Sequence, residues 1–224
     1  MLKSYNENVE ISGDQQYGYV INWLCRHLWL FTIIMFFISF AIRLSLSFWT
    51  GPVVTQLAFP DEIRFLHIAR SLAENGQILV RGIQSTYQKI LYPLIISPAF
   101  LLSDNQLTQV NIIRVINCLL ISSTVFPVHL LANKLTKNKI IVLIVLIITI
   151  TLPDFKYSAG IFSEVLFLPL VIWIFYIAYC AIAEQRRHKK MMIYGLFGFV
   201  TYMAYLTKEI AAAFLIVMSL LLMY

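Results

Sequence analysis

From Trp29 to Phe48 the chain reads WLFTIIMFFISFAIRLSLSF, an apolar run whose one charged residue is Arg43. At a rise of 1.5 Å per residue, a helix of this length is about 30 Å long, the thickness of the hydrocarbon core of a bilayer. The rest of the sequence repeats that chemistry. Apolar blocks follow at Leu107 to Leu131, Ile140 to Leu152, Ile161 to Ile182 and Met191 to about Leu206, and a last one runs from Ile210 to Tyr224. The third, fifth and sixth blocks are short for a crossing and must borrow flanking residues or thin the bilayer locally. Over all 224 residues, 60% are hydrophobic and 12% charged, whereas about a quarter of the residues of a soluble domain are charged. Mean hydropathy is +0.79. This composition excludes a soluble enzyme and predicts an all-helical polytopic membrane protein of about six transmembrane helices.

The net charge of +6 carries no basic stripe interleaved with aromatics, so nucleic acid is not an expected partner. The excess instead orients helices. Lys134, Lys137 and Lys139 fill one short loop and Arg186, Arg187, Lys189 and Lys190 fill another, which the positive-inside rule places in the cytoplasm. Counting crossings back from these loops puts residues 49–106 on the outer face and residues 1–27, a polar segment, inside. Residues 28–224 then form the membrane module. Cys25, Cys118 and Cys180 have neither metal-ligand spacing nor an even count, and they read as small hydrophobes.

The first outer loop has structure of its own. Pro60 followed by Asp61 and Glu62 is a helix start, with proline in the first turn and acids where the helix dipole favours them. Asp61, Phe65, Ile68 and Leu72 share one face, and Asn75-Gly76 supplies a stop, so an amphipathic helix lying on the membrane surface is expected. Ile90 to Leu102, broken by Pro93 and Pro98, reads as a second surface or dipping segment.

Acids and bases outside the cytoplasmic loops gather on the outer side: Asp61 and Glu62 in the first loop, Asp154 and Glu164 about the second turn, and Lys208 with Glu209 after the fifth block. Carboxylates and a lysine at the membrane boundary suit a phosphate-bearing lipid donor and a hydroxyl or amine acceptor. One carboxylate takes a proton, or two hold a divalent ion, while a cation stabilises the departing phosphate. Each residue also has a plainer reading: Asp61, Glu62 and Glu164 as acids at helix starts, Asp154 as a turn residue, Lys89 and Lys208 as snorkelling cations, and His67 and His129 as solitary histidines.

The runs RLSLSFWTGPVVTQLAFPDEIRFLHIARSLAENG, YQKILYPLIISPAFLL, NIIRVINCLL, LPDFKYSAGIFSEVLFLPL and YGLFGFVTYMAYLTKE together resemble, in order and spacing, the N-terminal half of GT-C glycosyltransferases. The likeness is to the protein O-mannosyltransferase and aminoarabinose-transferase type, and it covers Leu28 to Tyr224. It implies a GT-C-like bundle in a prokaryotic plasma membrane that transfers a sugar, with inversion, from a polyprenyl-phosphate donor to a lipid, glycan or protein acceptor on the outer face. It also implies roles for individual residues. Asp61 would be the catalytic base or a metal contact, Glu62 its neighbour, and Glu164 a second acid or metal contact. Lys89, Lys208, Arg43 and Tyr92 would bind substrate, and no cofactor is fixed, a divalent metal ion held by Asp61 and Glu164 being the one candidate. A reading from a different class is a non-catalytic membrane subunit, or truncated remnant, that keeps the helices and the lipid groove. A transporter would carry mid-membrane charges in interrupted helices with repeat symmetry, and the sequence has neither.

Overall fold

The computed structural model describes residues 27–50, 60–152 and 155–223. The expectations for Asp154, for Cys25 and for most of the polar N-terminal segment fall outside them. Helix α1 spans Leu28–Trp49, about 33 Å at the ordinary helical rise. Its two faces are inverted relative to a soluble protein. Thr32, Ser39, Arg43 and Ser47 are buried, whereas Phe37 is 61% exposed and Trp29 53% exposed. This arrangement fits a hydrocarbon solvent, where apolar side chains lose nothing by facing outward and polar ones need partners inside.

Three stretches are long and apolar enough to cross a membrane: α1, Gln106–Leu135 and Glu164–Ala183. The second is a pair of helices, α5 (Gln106–Ser122) and α6 (Val125–Leu135). The break between them lies where Pro127 has no N–H to offer the carbonyl of Ser123. The third stretch is α9. Shorter helices accompany these: α7 (Lys139–Thr151), α8 (Phe155–Ala159), α10 (Arg187–Tyr205), a 3₁₀ turn at Glu209–Ala211 and α11 (Ala212–Met223). Helices α5 and α7 begin at asparagine caps, with Asn105 Oδ1 accepting from Leu107 N–H at 2.9 Å and Asn138 Oδ1 from Ile140 N–H at 3.0 Å.

Between α1 and α5 lie α2 (Pro60–Asn75), α3 (Leu91–Ile96) and α4 (Pro98–Leu102). Helix α2 keeps the expected bounds and buries the expected Phe65 and Ile68, but it is turned slightly so that Glu62 and not Asp61 joins them. Glu62, Phe65, Ile68 and Ala69 are buried, and Asp61 is exposed. The reason is spacing: Glu62, Phe65 and Ala69 fall at i, i+3 and i+7, so the acid that shares the apolar stripe is Glu62. The second segment is held to the bundle on one side, where Tyr92, Ile96 and Ala99 are fully buried and pack with Phe65, Ile113, Ile161 and Val165. Pro98 divides it, and Ser97 Oγ donates to the carbonyl of Leu94 at 2.8 Å, replacing the N–H that proline lacks. A two-strand ribbon not expected from the sequence, Leu79–Val80 paired with Ile83–Gln84, turns through Arg81 (φ 53°) and Gly82 (φ 79°). Two positive φ values in a two-residue loop make the mirror-image turn that suits a hairpin.

Helix α9 packs against α5, α6 and α10, and α1 packs against α5 and α8. Lys208, just after α10, bonds Glu164 at the start of α9, so these two helices run antiparallel. Tyr179, near the other end of α9, donates to the carbonyl of Lys134 at 3.1 Å. The basic loops and the acidic cluster therefore occupy opposite ends of the bundle. If α1 meets its neighbours through small polar residues, Ser39→Leu should overpack the seam with α5 and lower thermal stability by about 1–3 kcal/mol, while Phe37→Leu on the outer surface should change it little. Melting of both variants in lipid nanodiscs checks this.

Candidate functional site

At the end of the bundle opposite the basic loops, a cavity of about 830 Å³ is lined by Asp61 and Glu62 from α2, Lys89, Lys156 and Tyr157 from α8, Glu164 from α9, and Lys208 and Glu209 before α11. Five expected site residues, separated widely in sequence, thus meet in one space. Two of its lysines are already held. Lys208 Nζ lies 2.6 Å from Glu164 Oε1, and Lys89 Nζ lies 3.6 Å from Glu209 Oε1. Asp61 pairs with Arg64 one turn along α2 at 3.6 Å, both partners about half exposed. Lys156 has no ion-pair partner among the described residues and approaches the ring of Tyr157 at 5.1 Å.

Glu62 stands apart from these. It is 2% exposed, and neither carboxylate oxygen has a hydrogen-bond partner among the described residues. Burial disfavours the charged form and pushes its pKa up to about 7, against a smaller opposing pull from the backbone N–H of Ile161. Glu62 also lines a second cavity of about 470 Å³, with His67, Arg70, Phe100 and Gln109. It therefore sits, buried, between the two cavities.

The turn between α8 and α9 forms the wall facing Glu62. A Cβ at Gly160 would overlap the Phe162 ring, so glycine lets that ring close over the turn, and the same Cβ position lies 3.4 Å from Glu62 Oε1, in ordinary contact. Asn117 of α5 holds this turn, its Nδ2 donating to the Gly160 carbonyl at 2.8 Å. Tyr92 in turn donates to Asn117 Oδ1 at 3.1 Å.

Two expected substrate contacts lie elsewhere. Tyr92 is fully buried behind the cavity wall, and Arg43 is buried within α1, where it donates to Ser39 Oγ. His129 binds Thr32 Oγ1 at 2.7 Å and Asn133 Nδ2 at 2.8 Å, which ties α1 to α6. A hard cation needs several oxygen ligands, yet Asp61 and Glu164 each face a cation, and among the described residues no three His, Cys, Asp or Glu side chains are grouped to hold one.

The sequence reading left out Lys156, Asn117 and Gly160. Lys156 was legible, because it stands two residues after Asp154 in the stretch that crossing parity groups with the other acids. Asn117 gave a weaker signal, an amide inside an apolar block. Comparison with protein families, with curated proteins and with solved structures returns no match for this chain.

The burial of Glu62 sets a pH dependence of stability. Its folded pKa of about 7 exceeds the ordinary value of 4.5, so between these values the unfolded chain binds fewer protons than the folded one, and stability falls as pH rises. Melting temperatures of the protein in nanodiscs should decline from pH 5 to pH 8, and Glu62→Gln should flatten that decline.

Proposed function

We propose that the chain is a membrane glycosyltransferase that moves a sugar from a polyprenyl-phosphate donor to an acceptor hydroxyl or amine at the outer face of the membrane. The observation that carries this reading is Glu62, a buried and unpartnered acid at the junction of a cation-lined cavity and a second cavity. Six crossings, with α7, α10 and α11 completing the set, would bring both cavities to that face. The apolar belt beneath them suits a polyprenyl tail.

In this reaction the acceptor heteroatom attacks the anomeric carbon and gives its proton to the ionised Glu62. The bond from that carbon to the phosphate oxygen breaks with inversion, and the polyprenyl phosphate departs with the bonding pair. Lys156 meets the growing phosphate charge, and Lys208 and Lys89 add to the field from their ion pairs. An acid with pKa about 7 is well matched to proton transfer near neutrality. Asp61, exposed at the rim beside Arg64, is better placed to guide the acceptor than to take its proton.

The pairing of Lys89 with Glu209 and of Lys208 with Glu164 favours one second reading, a subunit that binds the lipid phosphate without transfer. Purified protein offered a panel of polyprenyl-phosphate sugars distinguishes the two: a transferase consumes a donor, and a binding subunit retains it unchanged. For the transferase, the rate should rise with pH and level off above about 7 as Glu62 ionises. Glu62→Gln should lose about 10²-fold or more and Asp61→Asn clearly less. Lys156→Gln should weaken donor use about tenfold. A Glu62→Gln variant with normal turnover excludes the assigned base.

A further inference from the structure

Residues behind the cavity wall form a chain of hydrogen bonds that ends at the Gly160–Ile161 peptide, beside Glu62. Tyr92 O–H donates to Asn117 Oδ1, and this fixes which end of the Asn117 amide faces the α8–α9 turn. Asn117 Nδ2 then donates to the Gly160 carbonyl. That carbonyl and the Ile161 N–H belong to one peptide unit, which is trans, as are all the described peptide bonds. In a planar trans peptide the C=O and N–H point in opposite directions. A carbonyl gripped from the α5 side therefore turns the N–H toward α2, where Glu62 Oε1 lies 3.4 Å from the place a Cβ on Gly160 would occupy.

We propose that Tyr92 and Asn117 are positioning residues whose hydrogen bonds aim the Ile161 N–H at the Glu62 carboxylate. Each bond polarises the next in the same direction, and the sum favours negative charge at the far end. The chain is fully buried: Tyr92 and Asn117 are both 0% exposed and Ile161 is 2% exposed. Water therefore does not compete for its links. The Ile161 N–H favours the ionised form of Glu62 without reaching full hydrogen-bond geometry, so the carboxylate stays open to a second donor from the cavities. Tyr92, expected from the sequence to touch substrate, acts through two other groups instead. This inference deepens the assignment of Glu62 as the proton acceptor and rests on Glu62 being the reactive acid of the site.

Dicyclohexylcarbodiimide, which modifies protonated carboxyl groups in apolar surroundings, gives a test that needs no substrate. The full chain in nanodiscs is labelled across pH 5 to 9, and modification of Glu62 is read by peptide mass spectrometry, with Glu62→Gln as the blank. The other ionisable groups around Glu62 stay in place: Asp61, His67 and Arg70 on its own helix, and Lys89, Lys156, Glu164, Lys208 and Glu209 facing the cavities. Tyr92→Phe keeps the ring volume, and Asn117→Leu removes both links. Both should move the labelling midpoint upward, by about half a pH unit or more, because the carboxylate loses stabilisation and holds its proton to higher pH. A purely structural role would lower the melting temperature and leave the midpoint where it is in the unsubstituted protein, and an unmoved midpoint in folded Tyr92→Phe overturns the proposal. Should Asn117→Leu fail to fold, the Tyr92→Phe result decides alone. Because labelling reads the proton and not transfer, the relay and the transferase reading fail separately.

Discussion

Hydrocarbon offers no hydrogen bonds, so every polar side chain on a lipid-facing helix must find its partner among other helices. On α1 that constraint organises the bundle. Its inner edge is a line of small polar residues, each answered from α5, α6 or α8: Thr32 by His129, Ser39 by Ser122 at 3.2 Å, and Ser47 by Arg114 at 3.0 Å and by the Ser158 carbonyl. A seam of this kind is directional. It fixes the rotation of α1 and its register against the neighbours, which nonspecific apolar packing does not do when lipid packs equally well. The contact of Ser47 with Ser158 carries that register up to α8, and so to the turn that faces Glu62.

At the site the same constraint is met in one place and left unmet in another. Lys208 with Glu164, and Lys89 with Glu209, are near-neutral pairs that brace three separate stretches of chain around the cavity. Glu62 and Lys156 are left without such partners among the described residues. A buried acid with no hydrogen bond is costly to fold around, and folds keep such groups where the acid has work to do. The ion pairs supply the frame, and the two unpaired groups supply the chemistry proposed for it.

Much of this was legible in the sequence, for reasons that differ between elements. Apolar blocks declare their helices by composition, and Pro60 with Asn75-Gly76 marked the ends of α2 correctly because proline and glycine act locally. Crossing parity brought Asp61, Glu164, Lys89 and Lys208 to one end before any coordinates, since the basic loops constrain all the helices between them. The rotation of α2 was not legible. A one-residue difference separates Asp61 from Glu62 on the helical wheel, and tertiary packing of Phe65 and Ala69 against α3 and α5 decided it. The crossing count was harder still, because α7, α10 and α11 are too short or too charged at one end to declare themselves. The Arg81-Gly82 hairpin and the Tyr92–Asn117–Gly160 chain depend on long-range contacts that no local pattern encodes.

The central claim is that stretches far apart in sequence form one lipid-phosphate site at the end of the bundle where Glu62 lies. A photoreactive polyprenyl-phosphate analogue, crosslinked in nanodiscs and mapped by peptide mass spectrometry, measures this directly. The account predicts saturable labelling shared among the start of α2, the α8–α9 turn and the segment around Lys208, all suppressed by unlabelled polyprenyl phosphate. Labelling that falls instead on the opposite end, around Lys134 to Lys139 and Arg186 to Lys190, or that never saturates, would contradict it.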